Sequence, residues 1–594
     1  MCGFIASFGL QVKKSNFSKS LQHLKRRGPD SEGVWFEGKT FLASRRLAIF
    51  DLNKRSDQPL QSLCSRYQII FNGSIYNFKN LRNYLINKKI KLKTNSDTEV
   101  ILELYVLEGP KMIHRLKGMF AFIIWDNKKK ESFVARDPYG IKPLYIGKNS
   151  KGLVLSSQVK SILLTNLISR ERDLKAHYAF WKLGYVIEPR TWFRDIKALK
   201  PGHYIKIRNG KIILEKQWYN LNKNWLEADK KKTKISKHEY KRFVKKSLIE
   251  SINRHLVSDV PTGIFLSSGV DSALVASVVS SKSKKKINAI TVIFEDFKNS
   301  DYDETLEAKK IAKKLGLKHH IYKVTKKNFI KDLPKILDAM DQPSMDGINT
   351  WYASKAAAKL KLKVVFSGIG GDEIFFGYNH FKSIPMIFNL NKIVRRIPFI
   401  PELLNLIFKI LGLINKDKRW GYVFKNSNSI FKLWLLKRTI QTDRNLISNN
   451  IIPKNFPLIF SKKFIKKFEK YKFNNSKIKI SKIETIYYLR NQLLRDSDWA
   501  SMYHGIELRT PLVDVSLLEN LSKVMQFYSE EKNKNFLKSF FKEKFTQNKI
   551  FSKKVGFQTP VTKWIKKDVD NENNLNDNKW SNYMEIVNNS FNKL

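Results

Sequence analysis

A cysteine at position 2, followed by the small Gly3, is placed to become a nucleophile. Removal of Met1 would leave a thiol beside its own α-amine, which has a pKa of about 8 and can act as base without a histidine. Such a nucleophile needs an oxyanion hole. Asn72-Gly73 offers a side-chain amide and a backbone N–H just after the apolar run ending at Phe71. The same pair also reads as a hairpin turn, and with Ser74 as a glycosylation sequon. Arg46 could hold the α-carboxylate of an amino acid and Asp97 its α-ammonium, although each alone also reads as a surface ion pair.

A second group lies in the middle of the chain. Ser267-Ser268-Gly269-Val270-Asp271-Ser272 joins an apolar run to a helical pattern, and its small residues let backbone N–H groups approach a phosphate. Asp271 could hold Mg²⁺, a hard cation; the plainer reading is a helix N-cap by Asp271 or Ser268. A second such loop, Ser367-Gly368-Ile369-Gly370-Gly371-Asp372-Glu373, favours a nucleotide with Mg²⁺ shared by Asp271 and Asp372.

These loops need elements to position them. Short, alternating apolar runs at 68–71, 120–125, 144–146 and 204–207 predict strands, with helices near 77–87 and 98–107. This first part is strand-rich α+β. A Lys-rich polar stretch, 219–237, reads as a linker. Beyond it, strands at 260–266, 289–294 and 361–366 alternate with helices from about 271 and 304, which predicts a parallel doubly wound sheet. From about Phe381 the pattern is mainly helical, and 566–594 reads as a polar, poorly ordered tail.

Composition limits the possibilities. The 594 residues include 111 Lys or Arg and 53 Asp or Glu, a formal charge of +58, with 42% hydrophobic and 12% aromatic residues. That is enough apolar content for real cores in roughly two to four domains. The lysines are spread along the whole chain and form no single stripe, so no specific nucleic-acid role is expected. Two cysteines exclude a disulfide framework and a multi-Cys zinc site. The start has no basic n-region, and the apolar stretch 397–414 is broken by Glu402, Asn405 and Lys409. No membrane span and a cytoplasmic location are therefore expected.

Met1-Cys2-Gly3-Phe4, Arg27-Gly28-Pro29-Asp30, Arg45-Arg46-Leu47, Gln58-Pro59-Leu60, Asn72-Gly73-Ser74-Ile75-Tyr76-Asn77, Ser96-Asp97-Thr98-Glu99 and Ala135-Arg136-Asp137 occur in that order. The pattern resembles the glutaminase domain of class II glutamine amidotransferases, which are N-terminal-nucleophile hydrolases. The serine-rich loop resembles the pyrophosphate loop of the N-type ATP pyrophosphatases. With Asp341-Gln342-Pro343-Ser344, Asp346-Gly347-Ile348-Asn349-Thr350, the Ser367 loop, Arg495-Asp496-Ser497-Asp498, Glu507-Leu508-Arg509-Thr510-Pro511-Leu512-Val513-Asp514 and Lys554-Val555-Gly556-Phe557, it is similar to glutamine-dependent asparagine synthetases.

The resemblance implies an N-terminal-nucleophile hydrolase domain of stacked antiparallel sheets over 2–218. After the linker come an α/β doubly wound synthetase domain with helical additions over 238–565 and the tail. Cys2 would attack glutamine, with Asn72 and Gly73 as oxyanion donors. Arg46, Leu47, Ala48, Ile49, Phe50, Asn72, Gly73, Ser74 and Asp97 would bind glutamine. Leu266, Val292, Ser367 and Gly368 would contact ATP, and Ser267, Ser268, Gly269, Asp271 and Ser272 would cradle pyrophosphate, with Mg²⁺ on Asp271 and Asp372. Glu507 would move protons during amidation and Lys554 would offset charge on the adenylate. Three positions depart from the family: Ser74 and Gln158 stand where Glu is usual, and Ser268 replaces a glycine.

The implied reaction amidates aspartate to asparagine with ATP and glutamine, releasing AMP, pyrophosphate and glutamate. The alternative is another carboxylate acceptor, such as a uronic acid of a surface polysaccharide; a homodimer is left open. A reading of a different class has the basic, amphipathic stretch 382–438 dock on nucleic acid or an anionic membrane. The plainer view of that stretch is a helical decoration of the synthetase domain.

Overall fold

The computed structural model describes residues 2–594 apart from 231–234, 284, 395–398, 401, 405, 408–409, 411–417, 457–458, 532–533, 541–557 and 566–579. The first part of the chain forms two six-stranded antiparallel sheets. Cys2–Phe8 lies inside one sheet, between Thr40–Arg46 and Leu153–Ser156; Tyr67–Ile75 lies inside the other, beside Gly118–Asp126. The sheets stack because alternate residues of their strands are apolar. Phe4, Ala6 and Phe8 from one meet Ile70, Ile123 and Val134 from the other in a single buried cluster. The expected strands 68–71, 120–125 and 204–207 are found slightly extended, as Tyr67–Ile75, Gly118–Asp126 and His203–Arg208. The predicted helices appear as Phe78–Asn87 and Asp97–Glu108.

The second part carries a five-stranded parallel sheet in the order Lys318–Val324, Asn288–Phe294, Thr262–Phe265, Val364–Phe366, Glu507–Arg509. The chain starts in the middle, runs to one edge, then returns and runs to the other. The switch therefore falls between Thr262–Phe265 and Val364–Phe366, and in such sheets ligands bind where the order reverses, beyond the carboxyl ends of the strands. The serine loop leaves the first of these strands and the Ser367 loop leaves the second.

Two stretches differ from expectation. Within the expected linker, Asn222–Lys230 is a helix. Leu221, Trp225 and Ala228 are buried at helical spacing among polar neighbours, and Trp225 Nε1 donates to Ser481 Oγ at 3.1 Å. Within the expected tail, Ser581–Asn592 is a helix whose Tyr583, Met584, Val587 and Phe591 are buried. The average composition of both stretches is polar, but each has one apolar face, and one face is enough to dock a helix.

The two parts are joined by buried charge. Asp498 of the synthetase part accepts hydrogen bonds from the two terminal guanidinium nitrogens of Arg27, at 2.7 and 3.2 Å, and from the Lys142 ammonium at 3.0 Å. Burial alone would raise its pKa, but Arg27 and Lys142 hold it below the usual carboxylate range.

Candidate active sites

Cys2 begins its strand, buried, and the strand register places it directly opposite Arg46. Its backbone nitrogen donates to Asn72 Oδ1 at 3.2 Å. The other end of that amide, Asn72 Nδ2, is buried and has no hydrogen-bond partner among the described residues. Leaving a buried donor unmade costs about 1–3 kcal/mol, so it calls for an explanation, and an arriving oxyanion would supply one. The next residue must be glycine: a Cβ on Gly73 would lie 2.2 Å from the Met119 carbonyl oxygen. Gln58 braces the thiol. Its Nε2 reaches Cys2 Sγ at 3.8 Å and Thr98 Oγ1 at 3.2 Å, while its Oε1 accepts the Phe71 N–H at 2.7 Å.

The two expected handles for an amino acid differ. Asp97 opens the helix Asp97–Glu108 and accepts the Ile75 N–H at 2.9 Å. Burial pushes its pKa up to about 6, and a substrate ammonium beside it would bring the value back down. Arg46 is committed to its own loop. Its fork donates to the carbonyls of Asn53, Phe50 and Asp51 at 3.1, 3.0 and 2.5 Å and to Asp57 at 2.9 Å. It thereby shapes the segment Leu47-Ala48-Ile49-Phe50, which is buried and wedged against the synthetase part: Asp259 N–H donates to the Ile49 carbonyl at 3.2 Å.

At the phosphate side, the serine loop is already folded as a cradle. The Ser267 N–H donates to Ser272 Oγ at 3.2 Å, the Gly269 N–H to Ser267 Oγ at 3.2 Å, and Ser268 Oγ to Glu304 at 2.8 Å. Leu266 and Val292 are buried beneath it, and Thr291 Oγ1 donates to the Leu266 carbonyl at 2.7 Å. The Ser367 loop packs against this cradle so tightly that glycine is required twice. A Cβ on Gly368 would stand 2.7 Å from the Ser272 nitrogen, and one on Gly371 2.4 Å from the Asp271 carboxyl carbon.

Asp271 and Asp372 do converge. The Lys534 ammonium bridges them, hydrogen-bonded to Asp271 and 2.7 Å from Asp372 Oδ1. Burial would lower the lysine pKa, but the two carboxylates raise it. Two carboxylates gathered on one cation suit Mg²⁺, which takes few protein oxygens and completes its shell with water and phosphate. A metal here would compete with Lys534 for the same oxygens.

One side chain links the Asn72 strand to the parallel sheet. Ser74, two residues after Asn72, donates to Glu507 Oε2 at 2.8 Å, and Arg509 Nε holds Oε1 at 2.5 Å. Glu507 is fully buried. Burial would raise its pKa, but Arg509 outweighs that and keeps it low. Arg509 also donates to the carbonyls of His255 and Val257 and faces the rings of Phe50 and Tyr76. Strand pairing sets Glu507 beside Val364, at the start of the strand that feeds the Ser367 loop. Gln158 is buried near Arg27 and Trp499, beside a cavity of about 110 Å³ between the two parts. Lys554 lies outside the described residues.

Residues 1–219 match the model of the glutamine amidotransferase domain, and residues 244–582, more than half the chain, match that of asparagine synthase. The chain belongs to the asparagine synthase family. It is similar to asparagine synthetase (glutamine-hydrolyzing) 1 of Bacillus subtilis, at 28% identity over 594 residues, covering 96% of this chain and 88% of the relative. A putative asparagine synthetase (glutamine-hydrolyzing) 2 of Methanocaldococcus jannaschii is 30% identical over 470 residues, covering 74% of this chain and 84% of its own. Among solved structures, the glutamine phosphoribosylpyrophosphate amidotransferase of B. subtilis aligns over 56% of this chain and 92% of its own, at 15% identity and a TM-score of 0.31.

The family thus joins a glutamine amidotransferase domain to a synthetase domain in this chain. Three residues at the sites had no assigned role in the sequence reading. Gln58 had a signal, since Gln58-Pro59-Leu60 is part of the family pattern. Arg509 stands in the Glu507 motif, where its type alone gives it no role. Lys534 had no distinguishing signal among 111 basic residues.

Proposed function

We propose that the protein amidates a carboxylate, L-aspartate, using ATP and ammonia released from glutamine. The observation that supports this reading is the Ser74–Glu507 hydrogen bond, because it ties the strand bearing Asn72 to the parallel sheet whose strand ends carry the two phosphate loops. In the first half-reaction the Cys2 sulfur attacks the glutamine amide carbon, and the Cys2 α-amine, exposed by loss of Met1, takes the thiol proton. Asn72 Nδ2 and the Gly73 N–H hold the oxyanion. Ammonia leaves with the proton from the α-amine, and water then cleaves the thioester to glutamate.

In the second half-reaction an aspartate carboxylate oxygen attacks the α-phosphorus of ATP, and pyrophosphate leaves into the cradle of Ser267–Ser272. Asp271 and Asp372 would hold Mg²⁺, which offsets phosphate charge when bound. Ammonia attacks the activated carbonyl carbon, Glu507 takes the surplus proton, and AMP departs to leave asparagine. The family at 27–30% identity supports this ligase chemistry and leaves the acceptor to experiment.

Pyrophosphate release with Mg-ATP and ammonia, across a panel of carboxylic acids, tests it. Asparagine formed only with aspartate present is the expected result. Release with a uronic acid and silence with aspartate would keep the mechanism and replace the acceptor; silence with every acid would sink the proposal.

A further inference from the structure

The helix His380–Val394 is apolar on two sides. One side is buried: Phe381, Ile384 and Val394 lie against the molecule, the first two in the cluster that holds Leu433 and Trp434. On another side Met386, Leu390 and Ile393, spaced as one helical stripe, are exposed at 68%, 46% and 62%. A surface helix of a soluble domain ordinarily turns polar residues to that side.

The stripe has a successor. Phe399, Leu403, Leu406, Ile407 and Ile410 again follow helical spacing, 402–404 are helical, and all five side chains are exposed, Phe399 at 85%. Eight large apolar side chains in one stretch of 25 residues thus face away from the molecule. Exposure on that scale marks a docking surface.

Charge selects the occupant. Residues 380–420 include eight Lys or Arg and two acidic residues, Glu402 and Asp417, on a chain of net charge +58. A second copy would bring the same cations to the same face and be repelled. An apolar stripe flanked by cations matches an anionic lipid surface, where the stripe enters the boundary between headgroups and acyl chains and the Lys and Arg meet lipid phosphates. No described helix is long and apolar enough to cross a membrane, so such attachment is peripheral.

We infer that the Met386–Ile410 face docks the protein on anionic bilayers. The full-length protein is sedimented with vesicles of phosphatidylcholine containing about 30% phosphatidylglycerol, and with phosphatidylcholine alone, at low salt and at about 0.15 M salt, where the screening length is about 8 Å. The expected result is binding to the anionic vesicles that weakens but persists at the higher salt. Leu403→Asp with Leu406→Asp, and separately Met386→Asp with Ile393→Asp, should each reduce it at least tenfold. These side chains are solvent-facing, so an unchanged melting temperature and unchanged glutamine hydrolysis establish that the variants are folded.

Four results would overturn the inference. They are no binding to either vesicle, binding that vanishes at 0.15 M salt, binding that both double variants retain, and a wild-type oligomer that either double variant converts to monomer. The last would make the face an interface between copies.

Discussion

At the thiol site a donor waits without a partner, whereas at the phosphate loops the two carboxylates already share a cation. Asn72 Nδ2 is buried and unpaired among the described residues, while Asp271 and Asp372 share the Lys534 ammonium. The difference follows from the elements. Cys2, Asn72 and Gly73 ride on strands whose register locks them against both neighbours, so an unmet hydrogen bond cannot relax away. Asp271 and Asp372 sit in loops and at helix starts, and without the Lys534 ammonium between them their two charges would repel. The first cluster thus keeps its donor available to an arriving acceptor, whereas at the second a metal would have to displace Lys534.

The largest expected effect isolates the first site. Cys2→Ala should bring glutamine-driven amidation to background yet leave ammonia-driven amidation within about twofold of wild type. Loss of both activities would mean that the sites cannot be separated in this way. Asn72→Ala should lower kcat for glutamine hydrolysis by about 10²–10³, the usual cost of one oxyanion donor, with a smaller change in KM. A change confined to KM would show that the waiting amide binds glutamine and does not stabilise the transition state.

Lys534→Met sharpens the contrast from the other side. Removing one partner from a buried ion cluster is strongly destabilising, so the melting temperature without metal should fall by about 5 °C or more. Millimolar Mg²⁺ should then recover much of the loss while barely moving the wild type. An identical Mg²⁺ response in both proteins would break the idea of exchanged cations.

Two smaller effects concern protons. Asp97, raised to about 6 by burial, must be ionised to receive the glutamine ammonium. KM for glutamine should therefore rise severalfold as pH falls through about 6, without a matching change in ammonia-driven turnover; a flat KM profile would remove Asp97 from that role. Ser74→Ala takes a donor from ionised Glu507, whose pKa then rises. The acid limb of ammonia-driven amidation should move to higher pH, with kcat near neutrality down by roughly threefold. Ser74→Glu, which restores the residue usual in the family, would put a second carboxylate beside Glu507 and should move that limb further.

Much of this could be read from residue order. Glycine and serine runs ahead of Asp271 and Asp372 are demanded by close backbone approach, and the approaches found at Gly368, Gly371 and Gly73 explain why those positions stand out. Strand alternation was equally plain. What stayed hidden is pairing at long range. Ser74 and Glu507 are 433 residues apart, and nothing local marks a serine as the partner of a buried glutamate. The edge strands were hidden for other reasons: Lys318–Val324 carries two histidines and two lysines in place of an apolar run, and Glu507–Arg509 has only three residues. The Leu221, Trp225 and Ala228 face was masked by surrounding polar residues, since composition averages over all sides of a helix.

Asp498, with Arg27 and Lys142 closed over it, bears on how freely the two halves can be shuffled. Expressed by itself, the synthetase half would expose a carboxylate shaped for two cations it lacks, and the glutaminase half would keep those cations with nothing between them. Chimeras are constrained in the same way. A glutaminase grafted from another protein must bring a basic pair at the same spot, or the hybrid buries an uncompensated charge at a cost of several kcal/mol. The recombination unit is then the whole enzyme, and its halves are domains in shape but not in independence.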